Sequence, residues 1–149
     1  MAYLRDDSII LIQTDTTVGF LSKNQNLLAK RKKRVPTKKI LQVLPSFQEL
    51  KKNTRVPKKF RRFVRYSTKT TFIYPNLVSF RVVNRGVHQN FILKYGNFFS
   101  SSANLTSKNF QENIAENLAD IICKDNRGFS ENQPSKIIKL SKNRVQRIR

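Results

Sequence analysis

One cysteine, one histidine and no tryptophan occur among the 149 residues. The single thiol, Cys123, cannot close an internal disulfide, and its place in the apolar run 118–123 reads as a small core hydrophobe. Cys123 and His88 together fall short of the ligand set of an ordinary zinc centre, so no metal site is expected. Glycine is scarce, with four residues, and neither G-x-x-x-x-G-K-[ST] nor G-x-G-x-x-G is present. Any bound phosphate must therefore be held by side-chain cations, hydroxyls and loop amides. Acidic residues number only 9, which excludes an acidic, cation-buffering protein. The apolar run Ile9–Ile12 is too short for a membrane span or a signal-peptide core. It also follows Asp6 and Asp7, where a signal peptide carries positive charge. A cytoplasmic chain with no membrane partner is expected.

What the sequence has in excess is positive charge. Thirty Lys and Arg give a net charge of +21, and a hydrophobic content of 38% still allows a packed core. Length and the absence of a long linker suit one domain over residues 1–149. The charge is unevenly spread. Residues 30–69 hold 16 of the basic side chains and one acid, Glu49. Each close like-charge pair costs about 1 kcal/mol even in water, so such a block points to a polyanionic partner or ligand.

The patterning mixes short apolar runs with short amphipathic stretches. Strands are expected over 8–13, 18–21, 39–44, 98–99, 136–140 and 145–148. Residues 70–74 and 78–83 are β-branched and aromatic runs split by Pro75-Asn76, a hairpin signature. Helices are expected over 24–34, from Ser46 with Glu49 three residues on, over 57–66 and over 88–95. The run 113–123 places Ile114, Leu118, Ile121 and Ile122 on one helical face. Helix-separated and hairpin-like neighbours together predict an α/β (α+β) fold with a mixed parallel and antiparallel sheet.

Three segments carry groups that bind phosphates or small polar ligands. Thr14-Asp15-Thr16-Thr17 follows a strand, where hydroxyls and amides either form a simple Asx or ST turn or hold a ligand at the sheet rim. Lys30-Arg31-Lys32-Lys33-Arg34, with Lys38 and Lys39, reads equally as a solvated basic face, an RNA-contacting patch or a nucleotide site. Ser100-Ser-Ser-Ala-Asn104 offers hydroxyls and an amide after a strand.

In order along the chain, these segments resemble those of the YrdC family of threonylcarbamoyl-AMP synthases. The family segment P-T-D-T-V-Y-G-L is matched by residues 13–20, Q-T-D-T-T-V-G-F, and K-x-R-P-x-x-K-P-L by residues 32–40. The V-x-V-R-x-P strand is echoed around Arg81, S-A-N-x-S-G by residues 102–107, and P-S-T-I with a terminal V-x-R by 134–137 and 145–149. The resemblance covers about residues 8–149. It implies a single YrdC-like domain, with a twisted mixed sheet, flanking helices and a basic concave face. It also implies ATP-dependent joining of L-threonine and bicarbonate into threonylcarbamoyl-AMP. A tRNA threonylcarbamoyl-transferase complex would then use the product to modify adenosine 37 of tRNA. Magnesium would enter as the ATP complex.

Carried over by position, Thr16 would hold threonine in a loop shaped by Thr14 and Asp15. Lys32, Arg34, Ser102 and Asn104 would form the catalytic phosphate-binding set, with Lys38 nearby. Arg81, Ser135 and Arg149 (or Arg147) would complete ATP binding. Lys30, Arg31, Lys33, Lys58, Lys59, Arg61, Arg62 and Arg65 are candidates for RNA contact. The sequence also departs from the pattern. Val18 stands where the family has tyrosine, and Lys136 replaces the threonine of P-S-T-I. Two alternatives follow from these departures: a catalytically degenerate YrdC-like protein that binds tRNA or double-stranded RNA, and an unrelated basic, ribosome-associated factor.

Overall fold

The computed structural model describes residues 4–34, 39–104 and 108–149. They form two compact units, one from Met1–Ile40 with Phe98–Pro134 and the other from Leu41–Asn97 with Ser135–Arg149. Both are mixed α/β structures, as the patterning predicts.

In the first unit, β1 (Ile10–Gln13) and β2 (Val18–Ser22) are antiparallel neighbours joined by the Thr14–Thr17 turn. The unit also contains α1 (Gln25–Arg31), β6 (Phe98–Ser102), α5 (Glu112–Leu118) and β7 (Ile121–Cys123). The strand order is β7-β1-β2-β6, with β7 parallel to β1 and β6 antiparallel to β2. Alternation along the strands sends Ile9, Leu11, Val18 and Phe20 into one cluster with Leu28, Ala29, Ala103 and Ala115. Gly19 is required by close approach: a Cβ there would lie 2.8 Å from the Ser101 carbonyl oxygen and 3.1 Å from Thr14 Cγ2.

The helix expected over 113–123 is two elements. α5 stops at Leu118, and Ile121–Cys123 is a strand on the edge of β1. Asp120 makes the break. Its carboxylate accepts from the Ile9 amide at 2.9 Å and its own amide donates to the Ile9 carbonyl at 2.8 Å, so extended pairing with β1 replaces another helical turn. Ile122 is 46% exposed, which a buried helical face would not allow. Cys123 is half-buried, and its burial pushes the thiol pKa up.

In the second unit, the strand order is β3 (Gln42–Leu44), β5 (Ser79–Val82), β4 (Thr70–Ile73), β8 (Lys136–Leu140) and β9 (Val145–Arg147). The β4–β5 and β8–β9 pairs are antiparallel; β3–β5 and β4–β8 are parallel. The helical elements are α2 (Phe47–Asn53), a 3-10 turn (Lys58–Phe60), α3 (Arg61–Tyr66) and α4 (Gly86–Tyr95). Ser46 caps α2, its Oγ accepting from the Glu49 amide at 3.1 Å, as the Ser46–Glu49 spacing predicts. Leu44, Leu50, Val64, Phe72, Tyr74, Phe80 and Leu140 form the core. The hairpin at Pro75-Asn76 is present and closes with Leu77 at φ +66°.

Candidate nucleotide and threonine site

The end of α1 sets the geometry of the basic segment. The Arg34 amide donates to the Ala29 carbonyl at 2.8 Å and the Lys33 amide to the Lys30 carbonyl at 3.0 Å, the paired bonds of a Schellman C-terminus. The residue that must turn left-handed is Lys33, at φ +53°. This turn directs Lys32, the helix cap, inward: it is 4% exposed, whereas Lys30 and Lys33 on either side are exposed.

Lys32 Nζ donates to the Ser102 carbonyl at 2.6 Å and to the Asn104 carbonyl. The cation of the first third of the chain thus meets the Ser-Ala-Asn segment of the last third. Burial, and secondarily the charge of Arg34, lower the Lys32 pKa to about 8. Arg34 is half-buried, and its pKa is lowered by burial too. Two partly desolvated cations side by side make a place that an anion would stabilise. Asn104 turns its side chain elsewhere, Nδ2 donating to the Lys108 carbonyl at 2.7 Å.

The Thr-Asp-Thr-Thr turn adjoins this point. Ser102 is registered with Gly19 across β2 and β6, and Gly19 lies against Thr14. Thr14 Oγ1 accepts from the Thr16 amide at 3.2 Å, lies 3.3 Å from Thr16 Oγ1 and donates to the Thr17 carbonyl. Thr14 is therefore committed to shaping the turn, and Thr16 is buried beside it. Asp15 is half-buried.

Residues 130–132, which no sequence motif marks, clasp this turn. The Val18 amide donates to the Ser130 carbonyl at 3.2 Å, the Ser130 amide to Gln13 Oε1 at 2.9 Å, and the Asn132 amide to Thr17 Oγ1 at 3.1 Å. The segment contributes mainly backbone groups to these bonds, and any polar sequence could supply them.

The second unit assembles its own polar cluster. Arg81 is 4% exposed in the middle of β5, in register with Val43 of β3 and Thr71 of β4 on the sheet face opposite Phe72 and Phe80. Thr71 Oγ1 and Ser135 Oγ are 2.8 Å apart and buried. Of the two terminal arginines, Arg149 returns to this place, its Nε donating to the Ser135 carbonyl at 3.0 Å, while Arg147 pairs with Ile138 in β9. Lys38 lies outside the described residues.

The RNA candidates divide between the units. Arg31 donates to the Leu118 carbonyl at 2.7 Å and pairs with Asp120 at 3.4 Å, fastening α1 to the end of α5. Lys30 and Lys33 are exposed on the first unit; Lys58, Lys59, Arg61, Arg62 and Arg65 are exposed on the second. Among the described residues, no three His, Cys, Asp or Glu side chains come together as a metal cluster would require, and no helix is long and apolar enough to cross a membrane.

The chain alternates hairpins with parallel crossovers, and its basic helix end meets a Ser-Ala-Asn segment, the arrangement expected from the resemblance to YrdC-like folds. Structural likeness agrees. E. coli YciO superposes with a TM-score of 0.76 at 16% identity, over 95% of this chain and 82% of that one. P. abyssi Sua5 complexed with L-threonine gives 0.76 at 16% identity over 99% of this chain and 51% of Sua5. A protein from Methanobacterium thermoautotrophicum, solved in solution, gives 0.70 at 19% over 96% and 80%. No protein-family model matches the sequence, and no curated protein matches it either. At these identities the likeness defines the architecture, and the chain is a divergent example of it.

Proposed function

We propose that the protein synthesises L-threonylcarbamoyl-AMP from ATP, bicarbonate and L-threonine, for threonylcarbamoyl modification of tRNA. The observation that carries this reading is the meeting of Lys32 and the Ser102–Asn104 segment beside the Thr14–Thr17 turn. A neighbour of the same fold, Sua5, is known with L-threonine, which supports threonine as the small substrate.

The chemistry suits the residues available. The threonine amine attacks bicarbonate and, with loss of water, gives a carbamate. A carbamate oxygen then attacks the α-phosphorus of ATP, the bond to the bridging oxygen breaks, and pyrophosphate leaves. No step needs a protein nucleophile. The protein has to orient the reactants and to stabilise charge on phosphate oxygens. Lys32 and Arg34 would neutralise phosphate, Ser102 and Asn104 would position it, and Thr16 would receive threonine within the turn that Thr14 and Asp15 shape. Magnesium enters bound to ATP, as part of the substrate.

A second reading, an RNA-binding protein of this fold without catalysis, is favoured by the Lys32 ammonium being already engaged with two backbone carbonyls and by Val18 in place of an aromatic wall. Pyrophosphate release separates the two. With MgATP and bicarbonate, release is expected only when threonine is added, and Lys32→Ala and Ser102→Ala are expected to abolish it while the far-UV circular dichroism is retained. Absence of threonine-dependent release in the parent protein supports the second reading.

A further inference from the structure

The second unit carries a run of three adjoining clefts that the basic sequence block foreshadows only in part. The largest, about 920 Å³, is lined by Arg55, Lys58, Lys59, Asn76, Lys142 and Asn143 among others. A second, about 430 Å³, shares Thr54 and Arg55 with the first and adds Lys51, Lys52 and Arg61. A third, about 510 Å³, shares Lys51 and Arg61 with the second and ends at Phe47, Arg62, Arg65 and Tyr66. Nine cations line the three clefts, with no carboxylate among the lining residues. Lys142 and Asn143 come from the β8–β9 turn, far along the chain from the basic block; only the fold brings them to Arg55.

The far end has a different chemistry. The Arg65 guanidinium lies 5.0 Å from the centre of the Phe47 ring and Lys51 Nζ 5.7 Å from it, so that ring is already occupied by cations. Tyr66, by contrast, is 71% exposed at the rim of the same cleft. A continuous cationic groove with one open aromatic face at its end matches the two requirements of unpaired RNA. Phosphates need a positive track, and a splayed base needs a ring to stack on. All nine cations are exposed along the three clefts, where a flexible strand can follow them from one cleft to the next.

We propose that this groove binds a single-stranded or looped RNA segment, its phosphates running from Lys142 and Arg55 towards Arg61 and one base stacked on Tyr66. This surface shares no residue with the proposed nucleotide and threonine site, and its test requires neither ATP nor threonine, so the two readings fail separately.

The test is fluorescence anisotropy with a labelled 12-nucleotide oligouridine, a blunt 12-base-pair RNA duplex, and vesicles containing phosphatidylserine, each titrated across a salt series. Oligouridine is expected to bind, with log affinity falling linearly with log salt. Tyr66→Ala is expected to weaken it about tenfold with the salt slope unchanged, because stacking releases no counterions. Arg55→Ala with Lys142→Ala is expected to reduce the slope by about 1.4, roughly 0.7 per lost phosphate contact to a single strand. All three side chains are exposed or rim positions, so the variants keep the fold. Wild-type affinity and slope in both variants would overturn the proposal. So would vesicle binding without RNA binding, or a duplex preference indifferent to Tyr66.

Discussion

The buried ammonium of Lys32 would make the proposed triphosphate binding weaken as pH rises. Its pKa is held at about 8 by burial and by Arg34, so at pH 7 the group is about nine-tenths charged, and at pH 9 about one-tenth. If the charged form is the one that holds phosphate, ATP affinity falls about tenfold between pH 7 and pH 9. An arriving triphosphate favours the ammonium and pulls its pKa back up, so binding at pH 8 takes up about half a proton. Calorimetric titration of MgATP in two buffers of different ionisation enthalpy reads this uptake directly. Lys32→Arg, permanently charged, is expected to lose the pH dependence. A flat affinity between pH 7 and pH 9, with no proton uptake, would refute the reasoning. The same shift affects folding. In the unfolded chain the lysine returns to its ordinary value of 10.5, so between about 8 and 10.5 the unfolded state binds more protons than the native one. Lys32's contribution to stability therefore rises with pH through that window.

Three further outcomes follow from local geometry. Gly19→Ala would put a Cβ 2.8 Å from the Ser101 carbonyl, a backbone atom that cannot move aside without disturbing β6, and is expected to cost about 1–3 kcal/mol by thermal or urea unfolding. Lys33→Gly and Leu77→Gly relieve left-handed residues at φ +53° and +66°, and each is expected to stabilise by about 1 kcal/mol; no gain in melting temperature would contradict the strain. Thr71→Val leaves the Ser135 hydroxyl buried without its 2.8 Å partner and is expected to cost about 1–2 kcal/mol. A Thr71→Val/Ser135→Ala double variant should recover part of that loss, and strict additivity of the two single variants would argue against the bond.

The features legible in the sequence are those written in local chemistry. Ser46 with Glu49 marks the start of α2, Pro75-Asn76 marks the β4–β5 hairpin, and the Ile-rich run before Thr14 marks β1. Lys32 and the Ser102–Asn104 segment, 70 residues apart, are legible as a pair only through the resemblance to the YrdC motifs, which carry them in the same order; the residue types alone leave each segment open. What stays hidden depends on three-dimensional neighbours. Ile121 and Ile122 satisfy a helical face and a strand equally well, and Asp120 decides between them only through its bonds to Ile9. The clasp of residues 130–132 on the threonine turn uses backbone groups that every sequence has. Lys142 reads as an ordinary turn lysine until the fold sets it in a cleft with Arg55.

The most direct measurement is calorimetric titration of MgATP at pH 7 with and without saturating L-threonine. The account predicts that ATP binds and that threonine tightens it, because the turn around Thr16 and the cation at Lys32 belong to one site. No detectable ATP binding in either condition, with the protein folded, would contradict it.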